Sequence, residues 1–220
     1  MKDLILYPFS GTTREAVSVI QAVNAVHPQY NLIGFLDDNL ALKGITYRDY
    51  PILGTPSDFS NYPQAFILAC PNQSNTCRNR HLEILKLGIP KDRFATLIHP
   101  TVEQGHQTQV GHNTLIMGGV HLTNEVSIGN HCLILPNTVI GHEATVEDYA
   151  LIGANVSISG GVHIEENCYI GSGSQLFQGT HIRQGTIIGM GSVVLYSTEG
   201  NSTIAGNPAR ALHQTVSSTP

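Results

Sequence analysis

The sequence carries little charge, no tryptophan and no cluster of basic residues. Charged residues make up 12% of the 220 residues, and 11 Lys and Arg leave a formal net charge of −5. A nucleic-acid-binding surface needs concentrated positive charge, so the composition gives that function little support. The hydrophobic fraction of 41% excludes a disordered chain.

Long apolar runs and cysteine motifs are also missing. No stretch approaches the ~20 apolar residues of a membrane-spanning helix, and Pro8 interrupts the first segment too early for a signal peptide. The four cysteines show neither CxxC spacing nor a disulfide framework. We therefore expect a cytoplasmic protein with four small, buried thiols, no metal site, and no membrane or nucleic-acid partner.

Residues 1–97 alternate between strand-like and helix-like patterns. The apolar runs 3–7, 30–39 and 64–70 predict buried strands. Segments 12–26 and 75–88 predict helices, the first capped by Thr12 or Thr13. This alternation favours a parallel α/β sheet, whose ligands bind at the carboxyl ends of the strands. Those ends fall at 8–11, 37–38 and 70–72.

From residue 108 the period changes to six. Val, Ile or Leu occupies every sixth position from Val110 to Val194, and a small or β-branched residue follows each one four positions later. Neither a helix nor an ordinary strand has this period. It predicts a β-helix, in which short parallel strands stack coil on coil.

One hexad differs from its neighbours because it contains a histidine followed by a carboxylate. In "VIGHEATVED" (139–148), His142 comes two residues after the inward-facing Ile140, so its side chain should point outward. His112 holds the same hexad position without a following carboxylate. Glu143 could fix the tautomer of His142, as a general base requires. The alternative is a solvated histidine on the outside of the repeat.

The motifs of the whole chain resemble one group of enzymes. In order, they are "GFLDDN" (34–39), "ILGTPSDF" (52–59), "LIHPTV" (97–102), "VIGHEATVED" (139–148) and "IAGNPAR" (204–210). The chain resembles the hexapeptide-repeat sugar acetyltransferases that include the bacillosamine, perosamine and sialic-acid enzymes. The resemblance implies a Rossmann-like α/β domain over 1–97 and a left-handed parallel β-helix over 98–220. It further implies three hexads per coil, a CoA-lining C-terminal tail, and a homotrimer with the cleft between subunits.

The same resemblance implies roles for individual residues. His142 would be the general base for direct transfer from acetyl-CoA in a ternary complex, with Glu143 beside it. Leu151 stands where the family has a second histidine near the acetyl group, so that polar contact is lost. The positions along the CoA site are Gly160, Leu151, Ser172, Met190 and, at the phosphate, Arg210. Eighteen residues per coil would also place 106, 124, 142, 160 and 178 in one row.

The substrate end departs further from the family pattern. The expected glycine-rich turn reads "YPFSGTTREA", in which Pro8 and Phe9 replace small residues and Thr12 replaces a histidine. The resemblance implies that the acceptor contacts Ser10, Gly11, Thr12, Asp37, Asp38 and Asn72. The alternatives are that the two aspartates are solvated strand-end carboxylates and that the acceptor is not a nucleotide.

The leading interpretation is N-acetylation of a nucleotide-activated amino sugar for bacterial surface glycans. O-acetylation of a sialic-acid-like sugar by the same base is the main alternative. A zinc hydratase of the γ-carbonic-anhydrase type needs converging histidines, and the nearest pair, His106 and His112, lies in different rows. A non-catalytic scaffold or sensor would be favoured only without the base.

Overall fold

The computed structural model describes residues 1–71 and 77–212. An α/β domain comes first, with β1 (Lys2–Tyr7), α1 (Gly11–Val26), β2 (Tyr30–Leu36), β3 (Thr46–Tyr47), β4 (Tyr50–Gly54), β5 (Phe66–Ala69) and α2 (Arg80–Leu85). Short 3-10 turns occur at Leu40–Leu42, Pro56–Asn61, Cys77–Asn79 and Lys91–Arg93. The strands form one sheet in the order β3-β4-β2-β1-β5, parallel except for the β3–β4 hairpin. The predicted parallel α/β sheet is therefore confirmed.

Two-residue strands follow at regular intervals. They are β6 (Leu97–Ile98), β7 (Glu103–Gln104), β8 (Gln109–Val110), β9 (Leu115–Ile116), β10 (His121–Leu122), β11 (Ser127–Ile128), β12 (Leu133–Ile134), β13 (Val139–Ile140), β14 (Thr145–Val146), β15 (Leu151–Ile152), β16 (Ser157–Ile158), β17 (His163–Ile164), β18 (Tyr169–Ile170), β19 (Gln175–Leu176), β20 (His181–Ile182), β21 (Ile187–Ile188) and β22 (Val193–Val194). An antiparallel hairpin of β23 (Thr203–Gly206) and β24 (Ala209–Ala211) comes last.

These strands form a left-handed parallel β-helix with three faces, as predicted. The first face contains β6, β9, β12, β15, β18 and β21, the second β7, β10, β13, β16, β19 and β22, and the third β8, β11, β14, β17 and β20. Strand partners are eighteen residues apart, as in Val139 with Ser157 and Ile140 with Ile158. The aliphatic residue of each hexad points inward into one continuous buried core. The register begins at Leu97, earlier than the period-six pattern indicated.

Helix α1 begins one residue before the predicted segment, because Ser10 and not Thr12 or Thr13 is the N-cap. The Ser10 hydroxyl accepts from the Thr13 amide and the Thr13 hydroxyl accepts from the Ser10 amide, which satisfies two free donors of the first turn. Ala16, Ile20 and Val23 then bury the inner face of the helix.

Three other predictions about the α/β domain were wrong in detail. Strand β2 ends at Leu36, before the two aspartates, and β5 covers only Phe66–Ala69. The predicted helix 75–88 is a 3-10 turn followed by the six-residue α2, and its first two residues lie outside the described chain. The β3–β4 hairpin was missed because its strands are short and one contains Pro51.

The two domains share a core. Leucines on the outside of the first face, among them Leu97, Leu115 and Leu133, are buried together with Val19 of α1 and Leu6 of β1. A polar row along the edge between the third and first faces adds to this packing. Asn113 accepts from the Ala69 amide at 2.8 Å and donates to the Ala69 carbonyl at 2.9 Å. The end of β5 is thereby held against the β-helix.

Arginines continue that attachment further along the same edge. The fully buried Arg80 donates to the carbonyls of Pro71 and Tyr149, each at 2.6 Å. Arg78 donates to the carbonyls of Gly185 at 2.7 Å and Ser202 at 2.9 Å. Through these bonds, Arg78 and Arg80 attach the start of α2 and the 3-10 turn before it to the β-helix.

All four cysteines are buried. Across residues 1–71 and 77–212, no helix has the length and apolarity needed to span a bilayer. In that same part of the chain, no group of three or more His, Cys, Asp or Glu side chains could hold a metal ion.

Candidate active site

His142 lies in the turn between β13 and β14, on the edge between the second and third faces. Its side chain is 61% exposed, and its Nδ1 lies 3.0 Å from Oε2 of Glu143. A carboxylate partner at Nδ1 favours the tautomer that carries the proton there. Nε2 is then left with a lone pair that can accept a proton from a bound acceptor.

The predicted row of stacked residues is present around His142. The Asn124 carbonyl accepts from the Glu143 amide at 3.1 Å, and the His142 carbonyl accepts from the Gly161 amide at 2.8 Å. A Cβ atom on Gly160 would lie 2.5 Å from both Nε2 and Cε1 of His142. The imidazole therefore lies over Gly160, one coil further along, and a side chain at that position would displace it.

Two backbone amides near the imidazole have no hydrogen-bond acceptor among the described residues. Elsewhere in this row, the Asn124 side chain accepts from the His106 amide at 2.9 Å. Gly160 has no side chain to do the same for His142. Among the hydrogen bonds of the described residues, none uses the amide of His142 or of Gly160 as donor. Free N–H groups beside a base are the donors that a developing oxyanion needs.

The structure places the predicted CoA-binding residues Ser172 and Met190 on a different edge. Both lie in turns between the first and second faces, where the Ser172 hydroxyl accepts from the Ala154 amide at 3.1 Å and Met190 is 73% exposed. His142 lies at the opposite edge of the second face. A single chain therefore does not bring His142 together with Ser172 and Met190.

Leu151 does not present its side chain to a ligand. It is 5% exposed on the first face and belongs to the interdomain core with Leu133 and Val19. The role of Leu151 at the CoA site stays a prediction, and the structure adds that its side chain is packed between the domains. An aliphatic side chain here stabilises the packing of the α/β domain on the β-helix.

Arg210 lies in β24 with an exposed guanidinium, whose one hydrogen bond within the described chain goes to the adjacent Ala209 carbonyl at 2.8 Å. It borders an open groove of about 420 Å³ that Leu195, Tyr196 and Ile204 also line. This arrangement leaves the guanidinium free to contact an anion.

The polar residues predicted to bind the acceptor are largely engaged within the fold. Asp37 accepts from the Phe9 and Asn39 amides, each at 2.9 Å. Asp38 accepts from the Tyr7 hydroxyl at 2.7 Å, and burial together with this carboxylate raises the pKa of Tyr7.

The first loop shows the same pattern. Ser10 caps α1, Thr12 is buried, and Gly11 is exposed at the start of the helix. Asn72 lies outside the described residues.

Sequence reasoning missed two features near these loops. Arg14 and Arg48 lie over aromatic rings beside the first loop. A largely apolar groove of about 480 Å³ lies between α1 and the β-helix, and Glu15, His99 and Met117 are among the residues that line it. The "LIHPTV" motif contained His99 but carried no sign of the groove, which forms only when the domains pack.

Comparison with known proteins places this geometry in a family. The family described as "GMPPB C-terminal domain" matches residues 94–204. A mutant of perosamine N-acetyltransferase from Caulobacter crescentus, in complex with CoA and GDP-perosamine, superposes with a TM-score of 0.81 at 19% identity, covering 97% of each chain. The acetyltransferase domain of PglB from Neisseria gonorrhoeae FA1090, in complex with acetyl coenzyme A, gives 0.81 at 22% identity, over 96% of this chain and 99% of that one.

A further solved structure, WeeI from Acinetobacter baumannii AYE, has a TM-score of 0.79 at 25% identity, over 96% of this chain and all of the other. A search of curated protein sequences gave no match. The structural matches confirm that the chain shares the fold of these acetyltransferases. At these identities they establish the fold.

Proposed function

The chain belongs to the family of the GMPPB C-terminal domain, and we propose that it uses this β-helix as an acetyl-CoA-dependent sugar acetyltransferase. The acceptor would be a nucleotide-linked amino sugar destined for bacterial surface glycans. The observation that carries the proposal is the exposed His142–Glu143 pair, whose imidazole lies over Gly160. It is supported by structural neighbours in complex with CoA and GDP-perosamine, which superpose on this chain over nearly their whole length.

The geometry suits direct transfer. All four cysteines are buried, so no thiol is available to carry the acetyl group. The neutral acceptor amine would attack the thioester carbonyl while His142 Nε2 takes its proton. The C–S bond then breaks, and the protonated imidazole returns the proton to the departing CoA thiolate. Each proton and electron pair is accounted for without an enzyme-bound intermediate.

Two further groups would assist His142. Glu143 would hold the tautomer and stabilise the imidazolium, although the exposure of both side chains limits the strength of that pair. The free amide of Gly160 would donate to the oxyanion that forms on the thioester carbonyl.

CoA would lie along the edge that carries Ser172 and Met190, with its phosphates near Arg210. Because that edge and His142 are separated by the second face, we propose that the cleft closes between two copies in a homotrimer. The Met190 side chain of one subunit would then approach the His142 edge of the next. A closed ring of this kind uses one heterologous interface repeatedly.

The test is identification of the product. The protein is incubated with acetyl-CoA and a panel of nucleotide-linked amino sugars and sialic-acid-like sugars, and the acceptors are examined by mass spectrometry. We expect one acetyl group on the amine of a nucleotide-linked sugar. A product acetylated on oxygen would assign the O-acetyltransferase alternative, and unchanged acceptors across the panel would contradict the proposal.

A further inference from the structure

An aromatic platform forms at the carboxyl edge of the sheet. The Phe9 ring, just after β1, lies 5.2 Å from Phe35 and 5.8 Å from Tyr47, and Phe35 and Tyr47 are 6.1 Å apart. Phe35 is buried at the base, whereas Phe9 and Tyr47 are partly exposed. The family's small first-loop residues are thus replaced by a surface of ring faces at the place where α/β sheets bind ligands.

Two guanidiniums lie on this platform. Arg14 is 5.6 Å from the Phe9 ring and 5.8 Å from the Tyr47 ring, and Arg48 is 5.6 Å from the Tyr47 ring. Both arginines are exposed, and no carboxylate of the described chain forms an ion pair with either one. Both guanidiniums thus lie beside the same Tyr47 ring without a carboxylate partner, and a bound anion would balance their charge.

The backbone at Arg48 is unfavourable for an arginine. Its φ is +49°, and it is the one non-glycine residue with positive φ in the described part of the α/β domain. Arg48 and Asp49 form the two-residue loop between β3 and β4, a position where glycine or asparagine is favoured. An exposed arginine in a strained turn, with its guanidinium over an aromatic ring, points to a ligand.

The other polar groups at this edge of the sheet are less suited to binding an anion. The Asp37 and Asp38 carboxylates are occupied by Phe9, Asn39 and Tyr7, and they would repel phosphate. The Arg14 Nε donates to the Ser10 carbonyl at 3.2 Å, which fixes the base of this side chain beside the first loop.

We infer that Arg14 and Arg48, supported by Phe9 and Tyr47, bind the diphosphate of the nucleotide-linked acceptor. The inference rests on the proposed function. Guanidinium groups bind phosphate oxygens in a bidentate manner, and a diphosphate offers one phosphate to each arginine. The aromatic faces would then support the adjoining nucleoside or sugar.

The experiment measures binding without acetyl-CoA, so that it does not depend on turnover. Calorimetric titrations of the full chain use UDP, GDP and dTDP, the matching nucleosides, and inorganic pyrophosphate. We expect at least one nucleoside diphosphate to bind. Arg14→Gln and Arg48→Gly should each weaken its binding at least tenfold, and the affinity should fall with salt.

The matched control is Lys2→Gln. Lys2 makes a similar contact over the Phe66 ring, at 4.7 Å, but lies at the opposite edge of the sheet, so binding should stay within twofold. Arg48→Gly should also raise the melting temperature, because glycine accepts the positive φ. That gain separates lost binding from lost folding.

Several results would overturn the inference. They are wild-type protein that binds no diphosphate, variants that bind as tightly as wild type, and nucleosides that bind as tightly as diphosphates. Arginine-dependent binding without any acetyl transfer would uphold the inference and contradict the proposed function. Acetyl transfer with an acceptor KM that is unchanged in both arginine variants would do the reverse.

Discussion

At the scale of single residues, a neighbouring carboxylate is less distinctive than the sequence indicated. His163 Nε2 lies 2.6 Å from Glu147, and His121 Nδ1 lies 2.8 Å from Glu103, both with carboxylates that are remote in sequence. His142 differs because a glycine follows it one coil later. Because Gly160 has no side chain, the His142 imidazole can lie over it.

Gly160→Ala tests whether catalysis requires the His142 ring to lie over Gly160. The added methyl group would lie 2.5 Å from Nε2 and Cε1 of His142 and would push the ring aside. We expect kcat for acetyl transfer to fall by about tenfold or more, because small displacements of a catalytic group are costly. Steady-state kinetics measures kcat, and a melting curve checks that the variant is folded.

The control is Gly200→Ala, where the nearest atom to a new Cβ would be 3.5 Å away. It should leave both kcat and the melting temperature close to those of wild type. A Gly160→Ala enzyme with wild-type kcat would show that the ring position does not matter.

The sequence predicted His142 and Glu143 because both belong to one motif and their separation is local. It could not predict how Asp37 is used, because the Phe9 amide that it binds is 28 residues away. For the same kind of reason, it could not predict the burial of Leu151. That residue matches a family position, but its burial depends on how the α/β domain packs against the first face.

At the scale of structural elements, the turns between the third and first faces form an ordered row. Asn113, His131 and Tyr149 follow one another at eighteen-residue intervals, each with positive φ. The His131 and Tyr149 rings stack at 4.8 Å, and Asn113 Nδ2 lies 2.9 Å from His131 Nδ1. Because Asn113 donates here, His131 must be neutral.

This row makes the stability depend on pH. Burial and the neighbouring His112 lower the pKa of His131 to about 4. The unfolded chain has a histidine pKa of about 6.5, so it binds the proton first as pH falls. The contribution is complete above pH ~6.5 and is lost on the way down to pH ~4.

We expect the free energy of unfolding to drop by about 1–2 kcal/mol between pH 7.5 and 5 from this residue. Urea unfolding of the wild type and of His131→Gln at both pH values measures the difference. The variant should show a smaller drop, whereas His106→Asn, an exposed histidine, should not change it. Equal drops in all three proteins would contradict the assignment.

The regular elements followed from the sequence to different extents. The period of six predicted the β-helix strands from β8 to β22, because every coil repeats the same inward-facing pattern. The length of α2 was overestimated. The position of this helix depends on hydrogen bonds that Arg78 and Arg80 donate to the β-helix. Those contacts join residues about 70 to 125 positions apart and leave no local signal.

At the scale of the whole molecule, the second face separates the two halves of the proposed site. His142 lies at one edge, and Ser172 and Met190 lie at the other. The order of the domains was evident from the change of period. The separation of the site residues was not, because it depends on which corner of the coil each turn occupies.

Subunit complementation tests whether the site is shared. His142→Asn removes the base, and Met190→Glu places a negative charge where CoA phosphates would pass; Met190 is 73% exposed, so the fold should tolerate it. Each variant alone should be nearly inactive. Mixed trimers from co-expression should recover activity in about a quarter of the sites, because some interfaces pair two intact edges. No recovery in verified mixed trimers would place the whole site within one chain.

The most direct test of His142 as the general base is to measure kcat/KM for acetyl transfer by wild type, His142→Asn and His106→Asn. His106 lies in the same row, two coils from His142, and serves as the control. Loss of a general base should lower kcat/KM by about 10²–10⁴-fold in His142→Asn, whereas His106→Asn should stay within twofold. A folded His142→Asn enzyme that turns over at close to the wild-type rate would contradict the assignment of His142 as the base.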